Sequence, residues 1–293
     1  MYAILGITGQ VGGATARALL AAGQPVRAVV RNRAKAATWA DQGAETAVAD
    51  LTDAAALQAA FTGVAGAFVA TPPLLDVADP IGENRRMLAA LTTALRAAGV
   101  PKVVYLSSVG AQHDHGLGAI GKLYEMEQAF HQLPMPTAAI RAAWFMENFQ
   151  GLIGLARQRG QVPSLLSPPD RPIAMVATED IGQLAARTLS ETWTGPRVLE
   201  LGGPCLYSPQ DVTVALSFLL DQPLHTVVIS PTEHVATYVS WGMTPEAATL
   251  MTEMLAGFNR GWIAFAGSGA GAEQHAGSTL LEDALRQYVA AAR

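Results

Sequence analysis

Cysteine is nearly absent: Cys205 is the only thiol in 293 residues. One thiol cannot close an intramolecular disulfide or build a cysteine-rich metal site, so a reducing, cytoplasmic setting is expected. Charge is scarce too, at 15% of residues, and leans acidic, with 19 Lys and Arg against 24 Asp and Glu. A formal net charge of −5 without a basic cluster argues against a nucleic-acid surface that works by neutralising phosphates. The longest uncharged run, residues 54–75, contains Gln58, Gly63, Gly66, Pro72 and Pro73. Those residues divide it into a helix, a turn and a strand, so no membrane span is expected. The N-terminus enters a strand with no basic leader, and no signal peptide is expected.

Apolar residues are plentiful, half of the chain. The length suffices for a substantial core in one large or two moderate domains. The opening residues organise the rest. An apolar run, Tyr2 to Leu5, breaks into Gly6, Thr8, Gly9, Gly12 and Gly13, then passes into the apolar-faced stretch Ala14 to Leu20. Strand, glycine turn and helix begin a dinucleotide-binding βαβ unit. The glycines allow a tight turn, let backbone N–H groups approach a pyrophosphate, and let helix and strand pack closely. The helix N-terminus adds unpaired N–H groups and a partial positive charge suited to an anion.

The pattern continues in alternation. Pro25 to Val30 reads as a buried strand and ends at Arg31, where NAD-preferring units carry an acidic residue for the ribose hydroxyls. A guanidinium there can pair bidentately with a 2′-phosphate, which points to NADP(H); a solvated basic turn is the alternative. A helix is expected over Ala34–Gln42 and a strand over Glu45–Ala49, ending in Asp50-Leu51. That pair could flank an adenine, or Asp50 could cap the helix over Ala54–Phe61. A strand over Val64–Ala70 runs into Thr71-Pro72-Pro73, and a helix is expected over Asn84–Ala98. Lys102–Leu106 is a fifth strand, closing on Ser107-Ser108. A loop over Gln112–Gly121 precedes a helix near Leu123–Gln132, and Thr137–Ile140 is a sixth strand. These alternations imply an α/β fold with a doubly wound parallel sheet over residues 1–150. Residues 151–293 read as a smaller mixed region that caps the substrate and contributes late strands, among them Val198–Leu201. Gln210–Leu220 and Pro245–Gly257 are expected helices.

Several motifs together carry a resemblance. They are Gly6-x-Thr8-Gly9-x-x-Gly12, Val30-Arg31-Asn32-x-Ala34-Lys35, Ala49-Asp50-Leu51, Thr71-Pro72-Pro73, Tyr105 to Ala111 and Trp144 to Phe149. In this order the chain resembles the NmrA-like branch of the atypical short-chain dehydrogenases/reductases, including quinone and triphenylmethane-dye reductases. The resemblance implies a Rossmann-like fold and an NADP(H) site. The turn from Gly6 through Thr8, Gly9, Gln10, Val11 and Gly12 would hold the pyrophosphate, Arg31 the 2′-phosphate, and Asp50 and Leu51 the adenine. Thr71, Pro72 and Ser107 would line the ribose and nicotinamide end.

The chemistry is less marked. Typical short-chain dehydrogenases use Tyr-x-x-x-Lys to donate a proton; here Tyr124 is followed four residues later by Gln128. Tyr124 is a candidate proton donor, against an ordinary amphipathic-helix residue. Lys122 is a candidate catalytic or ribose-binding residue, against a solvated lysine. His113 and His115 could reach the nicotinamide end or be solvated loop residues, and no metal site is read from them. Trp144, Phe145, Met146 and Phe149 could line an apolar pocket or belong to the core. Missing acid–base machinery fits a reductase of quinone-like or other conjugated electrophiles, which needs positioning more than proton transfer. It also fits a non-catalytic NADP(H)-sensing regulator that acts through protein partners. A small-molecule substrate and a monomer or homodimer are expected, without membrane or nucleic acid.

Overall fold

A computed structural model describes residues 1–267 and 271–291; residues 268–270 and 292–293 of the expected C-terminal region lie outside these. The first half alternates as the hydrophobic pattern requires: β1 (Tyr2–Leu5), α1 (Gln10–Ala21), β2 (Val26–Val30), α2 (Ala37–Ala40), β3 (Glu45–Val48), α3 (Ala54–Phe61), β4 (Gly66–Val69), α4 (Pro80–Ala97), β5 (Val103–Ser108), α5 (Gly121–His131) and β6 (Thr137–Ala142). There follow β7 (Trp144–Phe145), α6 (Ile153–Arg159), β8 (Gln161–Ser164), β9 (Ile173–Val176), α7 (Thr178–Ser190), β10 (Pro196–Gly202), β11 (Leu206–Tyr207) and α8 (Pro209–Leu220). The chain closes with β12 (His225–Val228), α9 (His234–Ser240), α10 (Pro245–Asn259), β13 (Glu273–Ala276) and α11 (Leu281–Ala291). No helix among the described residues is long and apolar enough to cross a membrane.

Eight strands pair in the order β13-β10-β6-β5-β4-β1-β2-β3, every pair parallel. The order reverses between β1 and β4, and ligands bind at such a switch point beyond the carboxyl ends of the strands. The inner strands are covered on both faces, which is why they read as largely apolar runs, whereas the edge strands β3 and β13 are polar and mostly exposed. Side-chain alternation sorts the two cores: along β5, Tyr105 joins Met87, Leu91 and Phe130 of α4 and α5, while Val104 joins Leu19 and Leu184 of α1 and α7 on the other face. Each fully buried side chain of this size contributes roughly 1.5–3 kcal/mol through apolar burial.

The α1–α7 contact is close because it is built from small residues. A Cβ on Gly182 would overlap the Ala14 side chain, so α7 lies directly against the helix that starts at the glycine turn. Glu147, just past β7, caps α7: its Oε1 accepts from the Thr178 amide at 2.9 Å and the Thr178 hydroxyl at 2.8 Å. Burial raises the Glu147 carboxyl above the usual carboxylate range despite those two hydrogen bonds.

Some boundaries differ from expectation. The expected helix over Ala34–Gln42 is a 3₁₀ turn at Arg33–Lys35, capped by the Asn32 side chain, followed by the single turn α2. α4 starts at Pro80 rather than Asn84, because Asp79 accepts from the Gly82 amide and proline fits the first helical turn. The cap of α3 is Asp53, which accepts from Ala55 and Ala56 amides; Asp50 instead binds Thr52. The C-terminal half packs two further apolar clusters, one around α6, α8 and α11, the other joining the loop after β5 to α9 and α10.

Candidate active site

The turn after β1 is shaped by sterics. Gly6 adopts φ +81°, and a Cβ on it would lie 2.5 Å from the Ala70 carbonyl at the end of β4. A Cβ on Gly12 would overlap the Gly6 carbonyl, so α1 can approach the turn only as glycine. Gly9 is the N-cap of α1 and has no side chain to cap it, and the first turn carries no acidic residue. The N-terminal amides of α1 therefore face the switch point without an internal anion, an arrangement suited to phosphate. Thr8 and Gln10 are exposed, Val11 is buried against the sheet, and Gln10 Nε2 donates to the Tyr288 hydroxyl of α11 at 3.3 Å.

Arg31 is exposed at the end of β2, close enough to Asp50 for its charge to act on that carboxylate. Asp50 is held below the usual carboxylate range mainly by hydrogen bonds from the Thr52 hydroxyl (2.6 Å) and amide (2.8 Å), with Arg31 a smaller contribution. The neighbouring Leu51 is turned inward, packed with Val29 and Leu57. In the turn after β3, Asp50 is thus exposed and Leu51 buried.

Beyond β4 the chain runs through Thr71 and Pro72, both half-buried. Lys122, at the start of α5, reaches back to this segment, its Nζ donating to the Pro73 carbonyl at 2.8 Å and the Pro72 carbonyl at 3.1 Å. Burial lowers its pKa to about 8, so the ammonium is poised near neutral pH. Tyr124 is half-buried and packs against the apolar cluster that joins the loop after β5 to α10. The two candidates thus sit on different sides of α5.

Ser107 follows Tyr105 in the alternation and faces α5, 2% exposed, where its hydroxyl donates to Glu127 Oε1 at 2.5 Å. Glu127 also receives a bidentate pair from Arg141, at 2.9 and 2.6 Å, and Glu200 Oε1 lies 3.9 Å from the same guanidinium. Glu200 is satisfied from its other side by the Ala266 amide at 3.0 Å and Gln274 at 2.8 Å. This buried network ties β5, β6, β10, α5 and β13 together beneath the carboxyl edge. It was not expected from the sequence, although Arg141 and Glu200 are lone charges inside apolar strands and signal a buried partner.

The residues after β6 separate. Met146 is fully buried in the core of the C-terminal half, and Phe145 packs on the sheet. Trp144 sits where the two C-terminal clusters meet, its ring edge-on to Phe258 at 5.2 Å and tilted to Phe149 at 6.5 Å. The loop after β5 folds under α10, with His113 stacked on Trp262 at 3.9 Å and His115 bonded to Asp114 at 2.6 Å. A Cβ on Gly110, at φ +91°, would press on Ile263.

The comparisons with known proteins come to the same architecture. The model of the NmrA-like family matches residues 2–260. The chain is 28% identical over 256 residues to the NAD(P)H azoreductase of Xenophilus azovorans, covering 87% of this chain and 86% of that protein. It is 27% identical over 265 residues to quinone oxidoreductase 2 of Escherichia coli, covering 90% of each. Among solved structures, the NADPH-dependent quinone oxidoreductase of Escherichia coli complexed with NADPH superposes with a TM-score of 0.79 at 25% identity, over 98% of this chain and 99% of that one.

Proposed function

The chain belongs to the NmrA-like family, and we propose that it reduces a quinone-like or other conjugated electrophilic small molecule with NADPH. It is an NAD(P)H-dependent oxidoreductase by its relatives, an azoreductase and a quinone oxidoreductase aligned over most of both chains. The observation that carries the cofactor reading is the cradle at Gly6, Gly9 and Gly12. A methyl on Gly6 or Gly12 would collide with the backbone that shapes the turn, and the turn leads into an uncapped helix N-terminus. In this reading the main chain of Gly6 to Gly12, with Thr8, Gln10 and Val11 around it, holds the pyrophosphate. Arg31 pairs with the 2′-phosphate, Asp50 and the Leu51 main chain border the adenine, and Thr71 and Pro72 border the ribose and nicotinamide. Ser107 supports that end through Glu127.

When bound, NADPH supplies a hydride. The chain's own contribution is to position a flat acceptor in an apolar, aromatic space beyond β5 and β6 and to exclude water from it. A conjugated acceptor spreads the incoming charge, so a strong acid is not required, and water can deliver the final proton. We assign Lys122 to fixing the segment after β4 at the nicotinamide end. Tyr124 is the phenol on the same helix that could donate a proton where an acceptor needs one. Beyond the strands and helix that 151–293 adds to the sheet, β10, β13 and α7, the remainder of that region acts as the cap that closes over the acceptor.

The experiment is to mix the protein with NADPH and a panel of quinones, azo compounds and cationic dyes, and to follow loss of nicotinamide absorbance. Turnover with at least one acceptor is expected. Tight NADPH binding with no turnover across the panel would replace this reading with that of an NADP(H) sensor.

A further inference from the structure

Trp144 stands two residues beyond the end of β6, at the carboxyl edge of the sheet where β5 and β6 run side by side. Two rings from different parts of the chain flank its indole, Phe149 from the turn that follows it and Phe258 from α10, while its backbone pairs with Met175 of β9. The ring therefore lies at the seam between the sheet and the cap, packed by both C-terminal clusters. Its Nε1–H is buried and has no acceptor among the described residues. Buried donors are paired in almost every case, because leaving water without a replacement partner is unfavourable. A second indole, that of Trp193, is also unpaired, but it lies at the opposite, amino edge beneath Lys102 and Arg197, far from any strand carboxyl end. The surroundings of Trp144 are aromatic and apolar, so the partner missing there is not another side chain of the fold.

We propose that the Trp144 indole N–H is the hydrogen-bond donor for the acceptor's carbonyl oxygen, and so a catalytic residue of the reduction. This rests on the function proposed above. Two electrons and a proton arrive together as hydride on the quinone, and negative charge collects on an oxygen of the reduced ring. That oxygen accepts the indole N–H as its charge grows, and afterwards takes a proton from water. Trp144 keeps its own proton throughout. A neutral donor held in an apolar setting favours the charged product side more than the neutral quinone, which lowers the barrier rather than only tightening binding. The flanking rings of Phe149 and Phe258 hold the indole at one orientation.

The test is Trp144→Phe, which keeps an aromatic ring of nearly the same shape and deletes the N–H. With duroquinone, a fully substituted quinone that Cys205 cannot attack, kcat/KM falls roughly tenfold to a hundredfold while the Kd for NADPH stays as in the wild type. The second readout is binding without turnover. The protein is labelled with ¹⁵N-indole tryptophan and loaded with NADP⁺, and the resonance missing in Trp144→Phe identifies Trp144. On adding duroquinone that resonance moves downfield. An unmoved resonance, or a variant with wild-type kcat/KM, overturns the proposal. If the resonance moves but the wild type reduces no quinone with NADPH, the donor assignment stands as a binding contact and the proposed reaction falls. If the wild type turns over quinone and the resonance stays still, the reverse holds.

Discussion

At the end proposed to hold the phosphates, Gly6, Gly9 and Gly12 lie within seven consecutive residues, and a Cβ on Gly6 or Gly12 would collide with backbone. At the end proposed to hold the acceptor, Trp144, Phe149 and Phe258 bring together side chains from segments more than a hundred residues apart, and Ser107, Glu127, Arg141 and Glu200 form a separate buried polar network. The first site is a local consequence of a strand turning into a helix. The second exists only after the C-terminal half has folded onto the sheet. On the proposed reading, recognition of a phosphate stays constant while the acceptor changes, because the two ends share few residues.

This contrast can be broken from either side. The largest effect is expected beneath the acceptor end. Glu127→Ala strands the buried Arg141 guanidinium, with only Glu200 left at 3.9 Å. Chemical denaturation should show about 3 kcal/mol or more of lost stability. Next comes Gly12→Ala, whose new methyl overlaps the Gly6 carbonyl. It should cost about 1–3 kcal/mol and abolish measurable NADPH binding by fluorescence titration. Arg31→Glu leaves the fold intact and is selective: the Kd for NADPH rises by roughly tenfold to a hundredfold while that for NADH is unchanged. Equal effects on both nucleotides would make Arg31 a surface residue and remove the distinction between phosphate-reading and acceptor-holding ends.

The smallest effect concerns Lys122, which joins the two ends by holding Pro72 and Pro73. Burial lowers its folded pKa to about 8 from an ordinary 10.5. Between those values the unfolded chain binds more protons than the native one, so stability should rise with pH through that window and fall again as pH drops towards 8. The two carbonyl acceptors favour the ammonium and limit the change to on the order of 1 kcal/mol. Lys122→Met should show no such slope when Tm is measured across the same range.

The glycine turn was legible in the sequence because its residues are contiguous. A glycine pattern between an apolar strand and a helix reads directly as geometry, and Arg31 follows at the next strand end. The parallel, doubly wound sheet followed from the alternation. Boundaries set by one capping residue were less visible, as Asp79 before α4 and Asp53 before α3 illustrate. The packing around Trp144 was not legible, because nothing near it in the chain announces Phe258. Likewise nothing near Ser107 announces that its hydroxyl is taken by Glu127 on the far side of a loop. Arg141 and Glu200 did carry a signal, being single charges in apolar strands, but the sequence names no partner for either. The helical contact of Gly182 with Ala14 is similarly visible only once α7 is seen to lie along α1.

The most direct measurement of the central claim is the fate of the hydride. The protein is given NADPH carrying deuterium at the transferable position, together with a triphenylmethane dye whose acceptor carbon retains what it receives, and the reduced product is analysed by mass spectrometry. A reductase that positions its acceptor over the nicotinamide end yields product bearing the deuterium. Reduced dye without deuterium, or no reduction of this or any conjugated acceptor by a protein that binds NADPH, would contradict the account.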